Sequence, residues 1–300
     1  MTLHWQDRYQ PQREPARTLR RMTPADIPAA TALMVTVGWP YRDADWARLL
    51  HWSPDGCFVI EEEGDKGGEL IGTVTTTPYG MALAWVGMMV VRPERQRQGF
   101  GQQLMRAALD HLIARGTERV MLDASEAGRP LYRQVGFREL NKIERWEGRA
   151  STYLGPRAQP MRPADISGVL DLDARLFGLD RQPILARLLD EFPDLAWVDY
   201  HQGKLEGYLL GHQVGNGIHL GPWMSWSAAS AERLLRIALE QLQGQAITMC
   251  IPDHNGRSLI LARNHNLRRV RHCVRMIYGD AAPAQGQLLT ELSIASLATG

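Results

Sequence analysis

The sequence predicts an α+β protein built from two tandem copies of one unit, and three observations predict it. The first is length: at 300 residues the chain exceeds what one hydrophobic core usually holds, so two domains of roughly 100 to 200 residues are expected. The second is an internal repeat, Met22-Thr23-Pro24-Ala25-Asp26-Ile27 recurring as Met161-Arg162-Pro163-Ala164-Asp165-Ile166, an offset of 161 minus 22, or 139. The third is that strand-type and helix-type patterns follow each copy in the same order.

Each copy of the repeat opens an apolar-periodic helix with proline just inside its start, and in the first copy Thr23 and Asp26 form a T-x-x-D capping signature. Phe58 to Glu61, a polar turn, and Leu70-Ile71-Gly72 then correspond to Trp197 to Tyr200, a turn at Gln202-Gly203, and Leu205-Glu206-Gly207; both stretches read as β-hairpins. A further strand follows, Ala84 to Val91 in the first copy, and then a helix, Gln102 to Ala114 or Ala231 to Gln241. Another strand (Arg119 to Asp123; Ala246 to Ile251) and a short helix complete each unit. Gly155-Pro156 breaks regular structure between the copies. The resulting division is a tail over 1–17, a first domain over 18–148, a linker over 149–158, a second domain over 159–280 and a tail over 281–300 that either docks as a strand or frays. A fragment ending near Gly155 is expected to keep the first domain's binding capacity if it folds.

Composition excludes several classes. With 34 Lys+Arg against 33 Asp+Glu and a net charge of +1, no general field gathers nucleic acid or an anionic membrane, and any anion site must be local. A hydrophobic fraction of 44% and a charged fraction of 22% are those of an ordinary globular protein. The first twenty residues are polar and lack a signal's apolar core, so a cytoplasmic location is expected. Cys57, Cys250 and Cys273 are far apart, with no C-x-x-C pair and no histidine at metal-ligand spacing, which reads as buried apolar thiols and no metal.

The most informative segment is the loop Arg92-Pro93-Glu94-Arg95-Gln96-Arg97-Gln98-Gly99-Phe100-Gly101, which joins a strand directly to a helix at Gln102. A helix N-terminus offers unpaired N–H groups and partial positive charge, glycines at 99 and 101 allow a diphosphate close to the main chain, and Arg95 and Arg97 add counter-charge. The same residues admit a plain arginine-rich turn. A Rossmann dinucleotide site fits less well, because Leu104 stands where that fingerprint's third glycine belongs.

The combination V-x-P-x-x-Q-x-x-G-x-G at Val91 to Gly101 with L-Y-x-x-x-G-F at Leu131 to Phe137 resembles the GNAT superfamily of acyltransferases over about Leu19 to Trp146. The string from Leu122-Asp123-Ala124 through Gly128-Arg129-Pro130-Leu131-Tyr132 resembles the tandem-GNAT subgroup, whose second half is a divergent GNAT-like domain. The resemblance implies, for each half, a mixed, mostly antiparallel sheet flanked by helices, and an acetyl-CoA-dependent N-acetyltransferase acting on a primary amine by direct attack in a ternary complex. It places the pyrophosphate of acetyl-CoA on the amides of Gln96, Arg97, Gln98, Gly99, Phe100, Gly101 and Gln102, and the pantetheine arm beside Met89, Val90 and Val91, with Ser125 on the same cofactor surface. It makes Tyr132 the acid that protonates the departing thiolate.

A protonated amine must lose a proton before it attacks, and the family's glutamate on the strand before the loop has no counterpart in Trp85-Val86-Gly87-Met88-Met89. Asp123 and Glu126 are the candidates for that task, each with a plainer reading, a strand-end cap and a solvated charge. Trp39, Tyr41 and Trp46 fall in the segment that overhangs the acceptor pocket in this family, and either line it for a small-molecule or peptide amine or staple the loop to the core. The second copy reads Leu220-Gly221-Pro222-Trp223-Met224-Ser225-Trp226-Ser227 where the Gly loop should be, and Ala262 stands at the tyrosine position. One cofactor site per chain is therefore expected, in a monomer or homodimer without nucleic-acid or membrane partners. A non-catalytic module that senses CoA or a nucleotide is the competing reading.

Overall fold

The computed structural model describes residues 16–39, 41–63, 68–152, 154–279 and 290–300. Nearly all of the expected N-terminal tail, Pro40 of the Trp39–Tyr41 segment, the tip of the first hairpin (64–67), linker residue 153 and residues 280–289 before the final segment lie outside the described residues.

The first half runs β1 (Arg17–Arg21), α1 (Ile27–Thr36), α2 (Asp43–Trp52), β2 (Phe58–Glu62), β3 (Glu69–Tyr79), β4 (Leu83–Val91), α3 (Phe100–Ala114), β5 (Val120–Ala124), α4 (Arg129–Gln134) and β6 (Arg138–Arg149). The second half repeats it as β7 (Gln159–Pro160), α5 (Ile166–Phe177), α6 (Gln182–Glu191), β8 (Ala196–His201), β9 (Lys204–Val214), β10 (Gly217–Ser225), α7 (Ala228–Gln241), β11 (Ala246–Pro252), α8 (Gly256–Asn264) and β12 (Arg268–Tyr278), then adds β13 (Glu291–Ser293). The repeated Pro-Ala-Asp forms the same one-turn entry in both halves. The Asp26 carboxylate accepts from the Thr23 N–H at 2.7 Å, and that of Asp165 from the Arg162 N–H at 2.8 Å, so each aspartate satisfies an amide that the helix start leaves orphaned.

Apolar residues at helical spacing hold the layers together. Leu104, Met105, Ala108 and Leu112 of α3 pack against Ile60, Ile71 and Val74, and Leu234, Leu235 and Ala238 of α7 pack on Trp197, Leu209 and Leu220. Each such fully buried large side chain contributes about 1.5–3 kcal/mol.

One mixed sheet of thirteen strands runs through the described residues, in the order β1-β2-β3-β4-β5-β12-β6-β11-β10-β9-β8-β7, with β13 beside β10. The order shows that the halves exchange their last strands. β12 of the second half pairs with β5 of the first, Val274 opposite Ala124, while β6 of the first half lies between β12 and β11, Arg145 opposite Cys250. A first half closed on itself, as the sequence suggests, is thus not what the chain builds, and a chain ended near Gly155 would leave β6 without either neighbour. The expected linker also begins within this strand, since Arg149 pairs with Ala246.

Two strand pairs are parallel, and both separate after two residues. β4 and β5 are in register at Ala84↔Val120 and Trp85↔Met121, β10 and β11 at Ile218↔Ile247 and His219↔Thr248. In the second half β13 enters the gap: it pairs with β10 at Trp223↔Ser293, and the Ile294 N–H donates to the Cys250 carbonyl at 3.0 Å. The final segment therefore docks as a strand, and residues 294–300 continue across to the first half. There the Tyr79 hydroxyl donates to the Thr299 carbonyl, and a side chain at Gly87 would come within 2.4 Å of the Ala298 backbone, so only glycine admits the tail at that point.

A candidate active site in the open gap between β4 and β5

In the first half the corresponding gap is open and widens into a cavity of about 950 Å³. At one end lies the loop before α3. Arg97 and Gly99 hold left-handed backbone, φ 60° and 87°, and Gly99 is the N-cap of α3. The Gln96 side chain donates to the Val91 carbonyl at 3.0 Å and closes the loop on the end of β4. A side-chain carbon at Gly101 would meet Leu131 at 3.1 Å and Met89 at 3.4 Å. This is a concave run of helix-start amides with room for a bulky anion, and Gln96, Arg97, Gly99, Gly101 and Gln102 all line it, although the Gln96 N–H already donates to the Pro93 carbonyl at 3.3 Å. Phe100 is buried beneath the Arg17 guanidinium, which sits 5.1 Å from its ring, and the Gln98 side chain turns back to the Glu94 carbonyl at 3.2 Å. Only their amides can serve an anion. Arg95 is not the free counter-charge expected from sequence, because Glu62 holds it at 2.5 Å.

Along the cavity's side, β4 carries a bulge. The register steps from Thr73↔Val90 to Thr75↔Gly87, so Met88 and Met89 oppose a single residue, and Met88 takes φ 47°. Such bulges re-aim side chains next to functional sites. Met89, Val90 and Val91 line the cavity, facing Ser125, Leu131 and Tyr132 across the gap. Ser125 Oγ accepts from the Gly128 N–H at 3.2 Å and so caps the turn into α4. The Tyr132 ring is buried edge-on against Phe137, centroids 6.0 Å apart. Burial, with the nearby Cys273 thiol, pushes its phenol well above the ordinary tyrosine value, so its hydroxyl keeps its proton at neutral pH. All three cysteines are buried thiols, and burial pushes Cys273 up to about 11 and Cys250 to about 12.

The two sequence candidates for the base are engaged elsewhere. Asp123 lines the cavity, but its buried carboxylate takes both Nε and Nη2 of Arg275, at 2.9 and 3.1 Å. Burial pushes its carboxyl upward while Arg275 holds it down. Glu126 is exposed and pairs with His272 at 3.2 Å and Arg129 at 3.4 Å. Of the three aromatics, Trp39 and Tyr41 line the cavity. Trp46 does not: it is fully buried with Met34 and Leu50 in the core beneath α2. The helical repeat explains this, since Asp45, Arg48, Leu49 and Trp52 form the stripe facing the cavity, and Trp46 is rotated about 100° from Asp45.

The far end belongs mostly to the second half, with Arg145 added by β6 of the first. Its floor is a polar row across adjacent strands, His212 on β9, His219 on β10, Thr248 and Cys250 on β11, then Arg145 and Arg271. The final segment, including Ala298 and Thr299, forms one wall. Sequence reasoning missed these residues; the available signal was two histidines interrupting otherwise apolar strands. The rings of His212 and His219 lie 5.0 Å apart. Burial lowers both, His219 to about 4 despite its contact with the Ile294 carbonyl at 2.9 Å. A histidine kept neutral in the native state takes up a proton in the unfolded chain below about 6.5, so stability should be full above that pH and fall as pH drops toward 4, by on the order of 3 kcal/mol for His219. Urea titrations at pH 7 and 4.5, with His219→Gln losing part of the difference, check this; a flat profile would refute it.

Comparisons with known proteins agree with this architecture. Residues 24–137 match the acetyltransferase (GNAT) family and residues 169–289 an acetyltransferase (GNAT) domain. The chain is similar to the uncharacterized N-acetyltransferase YitH of Bacillus subtilis, 23% identical over 202 residues that span 66% of this chain and 69% of that one. It shares its fold with a Pyrococcus horikoshii chain bearing an acetyltransferase designation (TM-score 0.78, 24% identity, 100% of both chains). The fold also matches a tandem GNAT protein from the clavulanic acid biosynthesis pathway (TM-score 0.62, 12% identity, 89% of this chain and 100% of that one). Among the described residues no helix is long and apolar enough to cross a membrane.

Proposed function

The chain belongs to the GNAT acetyltransferase family in its tandem form, and on that premise we propose that it transfers the acetyl group of acetyl-CoA to a primary amine by direct attack in a ternary complex. The observation that carries the reading is the continuity of one cavity, from the amides of the loop before α3, past Tyr132, to the polar floor supplied mostly by the second half. The diphosphate rests on the amides from Arg97 to Gln102 with Arg97 as counter-charge; the Gln96 amide, which the sequence reading included, is taken by the Pro93 carbonyl. The pantetheine arm fills the gap beside Met89, Val90 and Val91, which brings the thioester to Tyr132.

The neutral amine attacks the thioester carbonyl, the C–N bond forms as the C–S bond breaks, and Tyr132 Oη donates its proton to the departing sulfur. The reading gives neither Asp123 nor Glu126 the task of base. Asp123 holds Arg275 and so fixes β12 beside the site, while the amine's proton leaves through water at the cavity mouth. Arg48, paired with Asp45 on its own helix and with Glu191 of α6, binds α2 to the second half where the acceptor enters.

The second half takes no donor of its own. Its gap is filled by β13, and where the first half has the Gly loop, Ser227 caps α7 and accepts from the Ser230 N–H at 3.1 Å, so one of the amides that would meet a phosphate is already engaged. Calorimetry is therefore expected to find one acetyl-CoA site per chain. Replacing Gly99 and Gly101 together by valine should abolish that site, since Gly99 needs left-handed backbone and Gly101 has no room for a branched side chain. Two sites per chain, or undiminished binding by the double variant, would overturn the assignment. Thiol release with a panel of amines tests the transfer itself.

A further inference from the structure

We propose that the acceptor is an amine that also carries an oxyanion, such as a carboxylate, and that Arg271 and Arg145 hold it at the far end of the cavity. The inference rests on the acetyl-transfer reading for the location of the amine, and on three features of the floor for the anion.

The first is a second β-bulge. Arg269 pairs with Trp146, but the next pair is Arg271↔Arg145, so Val270 is the extra residue on β12. An unbulged register would set Val270 opposite Arg145. The bulge instead puts two arginines directly opposite each other on adjacent strands, a like-charge pair that costs stability unless something negative lies between them. The second feature is the state of these charges. Arg145 gives its Nε to Glu147 at 2.7 Å, whereas Arg271, the exposed end of that polar row, has no carboxylate partner among the described residues. The cavity's other arginines are committed: Arg48 to Asp45 and Glu191, Arg95 to Glu62, and Arg97 to the loop that would hold the diphosphate. The third is position. Arg271 stands two residues from Cys273 on one strand, about 7 Å along it, and the Cys273 thiol lies close enough to Tyr132 to perturb its phenol. The anion is therefore held in the same cavity as the reacting amine, under the overhang of Tyr41, which both arginines also approach, and an ω-amino acid offers an amine and a carboxylate at a separation that its chain length sets.

The test pairs acceptors that differ only in charge: ω-amino acids of increasing chain length, their carboxamides and the matching aminoalkyl phosphonates. Wild-type protein should favour an anionic member of a pair in kcat/KM. Arg271→Gln should lower that preference about 10- to 100-fold, the value of a charge-assisted hydrogen bond, and Arg271→Lys should restore part of it. The Kd of acetyl-CoA should stay within about two-fold, which separates an acceptor site from a contact to the donor's own phosphates. The carboxylate and phosphonate arms tell which oxyanion fits. Equal use of acid and carboxamide, or a preference indifferent to Arg271, would overturn the proposal. Calorimetry of the amino acids on the acetyl-CoA-bound protein separates it from the reading beneath it. Arg271-dependent binding without turnover would keep the anion site and sink acetyl transfer, whereas turnover of uncharged amines alone would do the reverse.

Discussion

Tyr132→Phe is expected to lower kcat by about 10²- to 10⁴-fold while leaving the Kd of acetyl-CoA nearly unchanged, because a general acid contributes chiefly in the transition state. The substitution is conservative for the fold. Phenylalanine keeps the ring edge-on to Phe137 and in contact with the chain at Gly128, and it removes only a hydroxyl that bonds to none of the described residues. That unengaged hydroxyl, held protonated by burial, is what a departing thiolate needs and what packing does not. The measurement is kcat under saturating donor, with pre-steady-state acetylation to confirm that chemistry limits turnover. A kcat within about two-fold of wild type under those conditions would remove Tyr132 from the mechanism.

The parts of the site that were legible in the sequence are those whose requirements are local. A left-handed glycine before a helix, a proline just inside a helix start and a tyrosine at a fixed distance from a glycine-aromatic pair are all constraints on neighbouring residues, and the loop from Gln96 to Gln102 and α4 stand where those signals put them. The repeat was legible for the same reason, and it holds element by element through β6 and β12.

What the sequence did not disclose is contact at long range. The exchange of β6 and β12 leaves no local trace, because either strand carries the same alternation whichever neighbour it pairs with. Asp123 read as a strand-end residue free to act as a base, yet its partner Arg275 is 152 residues away. Likewise the second copy read only as lacking the Gly loop and the tyrosine, and nothing local told that β13 physically fills the gap beside β10. Trp46 was misplaced for a different reason: an aromatic near an expected pocket says nothing of its helical phase, and one residue's rotation on α2 separates the wall of the cavity from the core.

Arg275→Ala is expected to destabilise the protein by about 3–5 kcal/mol, the cost of breaking one side of a buried ion pair. Arg275 lies on β12 and is almost fully buried, with its guanidinium 4.6 Å over the Trp85 ring, bidentate to Asp123 and 3.4 Å from Glu291 of β13. One side chain thus ties together the exchanged strand, the strand β5 that borders the cavity and the strand that fills the second half's gap. Its removal strands the Asp123 carboxylate, which is completely shielded from solvent, and leaves Glu291, among the described residues, only the distant Arg181 as an ion partner, 3.9 Å away. Desolvation, already the larger influence on Asp123, would then be unopposed and its carboxyl would rise further. Urea unfolding of Arg275→Ala measures the loss, and the double variant Asp123→Asn with Arg275→Met distinguishes its origin. If the cost lies in an uncompensated charge rather than in lost packing, the double variant loses less than the single one, since an uncharged replacement of both members of the bidentate pair removes the stranded carboxylate at position 123 and leaves only Glu291 short of a partner. A single variant within about 1 kcal/mol of wild type would mean that the exchanged strand is held by its backbone pairing and apolar face alone, and that Asp123 is free for chemistry after all.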